Sequence, residues 1–215
     1  MVTDKKKIAL FGSGGHAKVI LDSIEKQGLY EVAVVVDPYK KETTFEGLPI
    51  VPTLPTDLNL GVVALGDNWK RAKLVREILL ATPAFQFVAV IHPSAEIATT
   101  AKIGAGTVIM AGACVNSSTT IGEHCIINTR ASVDHDGQVN EFASIAPGAV
   151  LGGDVHVGAY AAIGLKASLI HGCKIGEHAV VGVGSVVVAD VPAFSVAYGN
   201  PCKVVRERKA GDSYL

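Results

Sequence analysis

The sequence predicts an α/β chain joined to a β-solenoid: a small Rossmann-like parallel sheet, then a parallel β-helix of hexapeptide repeats. Three observations carry this. Every sixth residue from Ile97 to Val187 is aliphatic, from Ile97, Ile103, Ile109 and Val115 through Ile175, Val181 and Val187, and the register never slips. Four residues after each anchor the side chain is usually small, as at Ala101, Thr107, Ala113 and Thr119, and glycine often follows the anchor, as at Gly104, Gly122 and Gly152. Before the repeat, short apolar runs alternate with helical periods. The composition agrees: 49% of the 215 residues are hydrophobic but only 6% aromatic, with 23 glycines. Such apolar mass is small and β-branched, which suits tightly spaced strands and excludes a disordered chain.

The elements follow in order. Residues 7–11 form an apolar strand ahead of a glycine-rich turn. Residues 17–27 form a helix with Val19, Ile20 and Ile24 expected on one face. Residues 32–36 make a second strand ending in Asp37, and residues 61–65 a third. Gly66-Asp67-Asn68 then leads into an amphipathic helix over residues 70–80. His92-Pro93 marks the handover, so residues 1–92 read as one domain and 93–190 as the β-helix. In the helix, each hexad makes one short strand and a turn, and three close a triangular coil. Each aliphatic anchor fills the prism and contributes roughly 1.5–3 kcal/mol on burial, against the entropy of ordering its hexad. Single coils are therefore marginal, and stacking about five makes them stable. Asp190-Val191-Pro192 and Gly199-Asn200-Pro201 end the coil, and residues 191–215 read as a cap with a charged tail.

Charge and cysteine usage narrow the function classes. With 19 basic and 20 acidic residues the net charge is -1, so no nucleic acid partner is implied. Lys5-Lys6-Lys7 is followed by too short an apolar run for a signal peptide. No run of eighteen apolar residues suggests a membrane span. The cysteines Cys114, Cys125, Cys173 and Cys202 form no CxxC pair, and a reduced, cytoplasmic protein is expected.

Gly12-Ser13-Gly14-Gly15-His16-Ala17 fits G-x-G-x-x-G/A where a strand gives way to a helix. Glycines there let the backbone approach a phosphate at a helix N-terminus. Asp37, at the end of the second strand, is placed to bond a ribose or base. About 90 residues supply half of a doubly wound sheet, enough for a mononucleotide. A glycine turn needed only for packing is the competing reading.

The combination of GSGGHAK, VVVDPYK, LGDNWKR, INTRASVDHD and VPAFSVAYGNPCKV with the repeat resembles the bacterial nucleotide-sugar N-acetyltransferases. The resemblance covers almost the whole chain. It implies a left-handed coil, against the usual crossover rule. It also implies transfer of acetyl from acetyl-CoA to the 4-amino group of a UDP-, dTDP- or GDP-linked 4-amino-4,6-dideoxy sugar, in surface polysaccharide or glycan synthesis such as that of the lipopolysaccharide O-antigen. By the same resemblance Gly12, Ser13, Gly14, Gly15, His16, Asp37, Tyr39, Lys40 and Asn68 line the nucleotide side, and Asn128 approaches the sugar. His135 is the general base and Asp136 the acid that orients it. Ser144, Leu165 and Val183 fall near the coenzyme, Gly153 meets the acetyl carbonyl, no metal is required, and the assembly is a homotrimer. The chain departs from the pattern at Gly137 and Ser144, where many relatives carry a cysteine and a second histidine.

The repeat arithmetic supports His135 independently. It lies two residues past anchor Val133, in an outward phase, and Gly153 and His171 share that phase one and two coils on. Coils roughly 4.8 Å apart bring Gly153 within reach of whatever His135 contacts, and a backbone N–H there suits a thioester oxyanion. His124, His156, His171 and His178 also fall outside the anchor slots and read as solvated turn or subunit-contact residues. Cys125 and Cys173 occupy inward slots as packing thiols, so direct transfer is expected rather than an acyl-enzyme. Three alternatives remain at this stage. They are acetylation of an oxygen on a sugar or sialic acid, a zinc hydratase using His135, His156 and His171, and a non-catalytic nucleotide-sugar-binding module.

Overall fold

The computed structural model describes residues 5–214. The N-terminal part runs β1 (Lys6–Phe11), α1 (Gly15–Gln27), β2 (Tyr30–Val36), β3 (Thr44–Phe45), β4 (Leu48–Val51), β5 (Leu60–Val63), α2 (Asn68–Ala81) and β6 (Gln86–Phe87). These strands form one sheet in the order β3-β4-β2-β1-β5-β6, parallel except for the β3–β4 hairpin. The three strands and two helices read from the sequence are all present. The hairpin and β6 are additions, too short to leave a period-two signature. In α1 the buried stripe is Ala17, Ile20, Leu21 and Ile24, while Val19 is 43% exposed. Ile20 and Ile24 lie on the buried face as expected, but Val19 does not: at 100° per residue it lies nearly opposite that stripe. The stripe packs with Val90, Val108, Met110 and Ile126, so α1 is wedged between the sheet and one outer face of the solenoid.

From β7 (Val90–Ile91) to β23 (Val186–Val187) the chain is a left-handed parallel β-helix of two-residue strands. Pairing steps by 18 residues, as in Ser132↔Val150 and Val133↔Leu151. All sixteen anchors occupy their predicted place, and Val90–Ile91 adds one hexad ahead of them. Anchors and small residues together fill the prism: Val133, Ile145, Leu151, Ala143, Ala149 and Ala161 are fully buried. At most turns one corner residue adopts a left-handed backbone, including Ser118, Asp136 and Asp154 along one edge. β24 (Ser195–Gly199) pairs with Val180–Val181 and turns back as β25 (Cys202–Glu207).

Part of the charged tail is folded against the body of the protein. Arg208 is buried and donates to the carbonyls of His178 and Asp212. Tyr214 Oη then accepts the Asn68 N–H at 2.9 Å, at the start of α2. Buried backbone acceptors need such donors, which is why a basic residue so near the terminus is folded in.

A second correction concerns two histidines. His124 and His178 are buried, not solvated, within a column of rings along another edge of the prism. His124 stacks on Phe142 (5.0 Å), Phe142 on Tyr160 (5.3 Å), Tyr160 on His178 (4.6 Å) and His178 on Phe194 (4.9 Å). Trp69 of α2 covers Tyr160 and His178 at 5.9 and 5.7 Å. The five residues share the left-handed corner conformation, which lays each ring along the column.

Arg71, also on α2, fastens the two parts. Its Nε donates to His124 O (2.8 Å) and its Nη1 to Leu65 O and Gly66 O (2.9 and 3.2 Å). Its Nη2 donates to Asn68 Oδ1 and Phe142 O (2.8 and 2.9 Å). None of the five acceptors is a carboxylate, and burial lowers the guanidinium to about 10.

Burial, with Arg71 adding repulsion, pushes both His124 and His16 down to about 4. The folded protein keeps them neutral while the unfolded chain protonates them near 6.5. Their contribution to stability is complete above about 6.5 and is lost as pH falls toward 4. Each unit is worth about 1.4 kcal/mol, so an acid-labile fold is expected. His124→Phe supplies the ring already used at positions 142 and 194 and should lessen the loss between pH 7.5 and 5. An unaltered pH dependence of the urea midpoint would contradict the assignment.

Candidate active site

His135 stands in the turn between strands Ser132–Val133 and Gln138–Val139, and its side chain is 54% exposed. Three carboxylates shape its surroundings. Asp134 Oδ1 accepts the His135 backbone N–H and the Asn116 side-chain amide, both at 2.8 Å. The bond from the His135 N–H holds the Asp134 carboxyl below its usual range. Asp136 Oδ2 lies 2.7 Å from His135 Nδ1. That hydrogen bond raises the imidazole pKa, and the charges of Asp134, Asp136 and Asp154 add to it. Asp136 reaches the ring from a left-handed backbone (φ +60°), a conformation that aspartate tolerates better than bulkier residues. With Nδ1–H donated to a carboxylate, Nε2 is left as the basic nitrogen.

Nε2 faces the next coil. A Cβ on Gly153 would sit 2.6 Å from both Cε1 and Nε2 of His135, so any side chain there would push the ring from this position. The Gly153 N–H has no acceptor among the described residues. One coil further, the His171 ring centroid is 6.3 Å from that of His135. Beside it, Asp154 Oδ1 lies 3.2 Å from His156 Nε2. No group of three or more His, Cys, Asp or Glu among the described residues converges as a metal site.

The N-terminal glycines sit at the carboxyl ends of the parallel strands. Gly12 has φ +104°, and a Cβ on Gly14 or Gly15 would meet nothing within 4 Å, leaving backbone open to an approaching group. Asp37 Oδ2 accepts the Ser13 N–H (3.1 Å) and the Ser13 hydroxyl (2.6 Å), and Oδ1 accepts the Tyr39 N–H (3.1 Å). Ser13 and Lys40 also line a cleft of about 280 Å³ with Lys18, Glu42, Phe45 and Glu46. Tyr39 is 93% exposed, and His16 is half-buried with an unpartnered Nε2.

The other expected positions are placed elsewhere. Asn68 is buried, and its amide nitrogen donates to the carbonyls of Tyr160 and Ala161 while its oxygen accepts from Arg71. Asn128 accepts the Thr129 N–H in its own turn. Leu165 and Val183 lie exposed on an edge of the prism different from that of His135, and half-buried Ser144 lies on the face beyond. One chain therefore does not bring His135 together with Ser144, Leu165 and Val183. Arg71, Tyr214 and the ring column were missed. Their one sequence signal was the 18-residue spacing of His124, Phe142, Tyr160 and His178.

A solenoid of this kind, bearing a carboxylate-oriented imidazole over a glycine and preceded by a glycine-loop domain, defines a hexapeptide-repeat acyltransferase. Comparisons with known proteins make the assignment finer. Residues 7–78 match the model of the PglD N-terminal domain. The chain is 31% identical to the acetyltransferase domain of PglB from Neisseria gonorrhoeae, with TM-score 0.87 over 94% of this chain and 100% of that one; that domain has also been solved with acetyl coenzyme A. It is 36% identical to GDP-perosamine N-acetyl transferase from Caulobacter crescentus, solved with CoA and GDP-perosamine, with TM-score 0.87 over 94% and 97%. A curated relative, UDP-N-acetylbacillosamine N-acetyltransferase of Bacillus subtilis, is 38% identical over 116 residues, 49% of this chain and about half (52%) of that protein. The chain belongs to the nucleotide-sugar N-acetyltransferases.

Proposed function

We propose that the protein transfers acetyl from acetyl-CoA to the 4-amino group of a nucleotide-linked 4-amino-4,6-dideoxy sugar. The observation that carries this is His135, with Nδ1 held by Asp136 and Nε2 turned over Gly153. His135 accepts a proton from the amine, the nitrogen attacks the acetyl carbon, and the thiolate leaves. The free Gly153 N–H stabilises the oxyanion. The glycine loop and Asp37 hold the nucleotide, the role suggested by the open backbone at Gly14 and Gly15. Relatives solved with CoA and GDP-perosamine support both ligands. Incubation with acetyl-CoA and a panel of UDP-, dTDP- and GDP-4-amino sugars should release free thiol with at least one. No release with any sugar would refute the reading.

The active unit is a homotrimer in which His135 of one protomer faces the Ser144, Leu165 and Val183 side of the next. Its support is that these residues occupy different edges of one chain, with Leu165 48% and Val183 70% exposed. The expected mass by light scattering is three times that of the chain; a fully active monomer at micromolar concentration would disprove it. Among the described residues no helix is long and apolar enough to cross a membrane. We place the enzyme in the cytoplasm, as a step toward a surface polysaccharide such as the lipopolysaccharide O-antigen.

Nucleotide and acetyl donor engage different parts of the chain. Asp37→Ala removes a charged acceptor and also releases Ser13, so the KM for the sugar nucleotide should rise several-fold to a hundredfold. The acetyl-CoA KM should hardly change. Unaltered nucleotide affinity by calorimetry would remove Asp37 from the site.

A further inference from the structure

The acceptor amine of the proposed reaction presents a proton-counting problem. At neutral pH it arrives as an ammonium, R–NH₃⁺, and leaves as a secondary amide, R–NH–CO–CH₃. Two N–H bonds therefore break for every C–N bond formed. One proton ends on the sulfur released when the C–S bond breaks, and the other goes to solvent. His135 can hold only one of them, because its Nδ1 is already bonded to Asp136 and Nε2 is its single free site.

The column above it carries a second imidazole. His135, Gly153 and His171 occupy the same phase of three successive coils, tied by Asp154 N–H to His135 O (2.9 Å) and Gly172 N–H to Gly153 O (2.9 Å). Gly153 contributes no side chain, so the His135 ring lies over it and its centroid comes to 6.3 Å from that of His171, the planes inclined by 45°. A gap of that size admits one shared atom bonded to both rings, each bond being about 2.8 Å. The His171 ring is exposed and has no hydrogen-bond partner among the described residues. The charged groups around the pair are Asp134 and Asp136 beside His135, Asp154 on the intervening coil, and His156 against Asp154.

We infer that His171 accepts the second proton and passes it to solvent, clearing His135 for each turnover. The inference rests on the proposed acetyl transfer. The ammonium first gives a proton to His135 Nε2. After attack, the protonated nitrogen of the tetrahedral adduct gives its second proton to His171, directly or through one water. His135 returns its own proton to the departing thiolate, and His171 releases the other.

The test compares wild type with His171→Ala and His171→Gln, using the sugar nucleotide that wild type turns over best. Both variants should lose between about threefold and thirtyfold in kcat, less than removal of a primary base costs, with the KM of each substrate within twofold of wild type. Added imidazole buffer should restore His171→Ala while leaving wild type unaffected. The inference is overturned by wild-type kcat in the alanine variant, or by a raised acetyl-CoA KM at unchanged kcat. Full activity in the glutamine variant, which bonds but takes up no proton, overturns it too. A wild type that releases thiol with no sugar defeats the acetyl-transfer reading itself, an outcome visible before any variant is compared.

Discussion

His135→Asn is expected to lower kcat about 10²–10⁴-fold, the usual worth of a general base. Asparagine keeps the size and part of the hydrogen bonding but takes up no proton. The fold should not suffer, because the ring projects from the corner and fills no part of the prism. Acetyl-CoA affinity and thermal midpoint are therefore expected to stay near wild type. The pH profile gives a second reading. Asp136 and its neighbouring carboxylates raise the pKa of His135, so the acid limb of kcat should lie above 6.5, with activity appearing as the ring loses its proton. Asp136→Asn should move that limb to lower pH and reduce kcat by a smaller factor. Retention of more than about a third of wild-type kcat by His135→Asn across pH 6–9 would make the residue a sugar-positioning group.

Arg71→Ala is expected to cost stability instead, by about 1–3 kcal/mol for each buried acceptor left without a donor. The side chain is 1% exposed, and its loss leaves the carbonyls of His124, Leu65, Gly66 and Phe142 without their donor. Arg71→Lys should recover little, because an ammonium does not reproduce the planar fork that reaches both halves of the molecule. Urea denaturation measures the effect, and a change under about 1 kcal/mol would mean that the halves are held by their other contacts, among them Asn68, Trp69 and α1. The two variants separate cleanly: one leaves the fold and loses turnover, the other loosens the fold first.

The solenoid was legible because its signal is redundant. Sixteen anchors repeat one requirement, and a prism face admits no other register. The glycine loop and Asp37 were legible for a related reason, since strand, glycine turn and helix follow directly in the chain. Position 135 could be read because coils add 18 residues, which sets Gly153 over it by counting. What escaped was contact between distant segments. Nothing local to Arg71 announces that its guanidinium meets turns 53 and 71 residues away. His124 and His178 sit in turns that are solvated in most proteins, and α2, Phe87 and the segment around Arg208 lying across that edge make them interior. Tyr214 followed a charged stretch, where a period-based reading has nothing to hold. Val19 was misassigned because it adjoins Ile20 in sequence, although 100° per residue turns it away from the Ile20–Ile24 stripe.

The ring column also restricts how the chain can change length. Inserting six residues anywhere in the solenoid would keep every aliphatic anchor in phase, and the hydrophobic pattern would look undisturbed. Yet all later turns would advance by one edge of the prism. The aromatic residues above the insertion would leave the edge that α2 covers, and Gly153 would no longer lie over His135 if the insertion fell between them. Only additions of eighteen return each edge to itself. Growth and shrinkage of this domain are thus quantised in whole coils, with three hexads as the indivisible unit, although the sequence motif itself is six residues long.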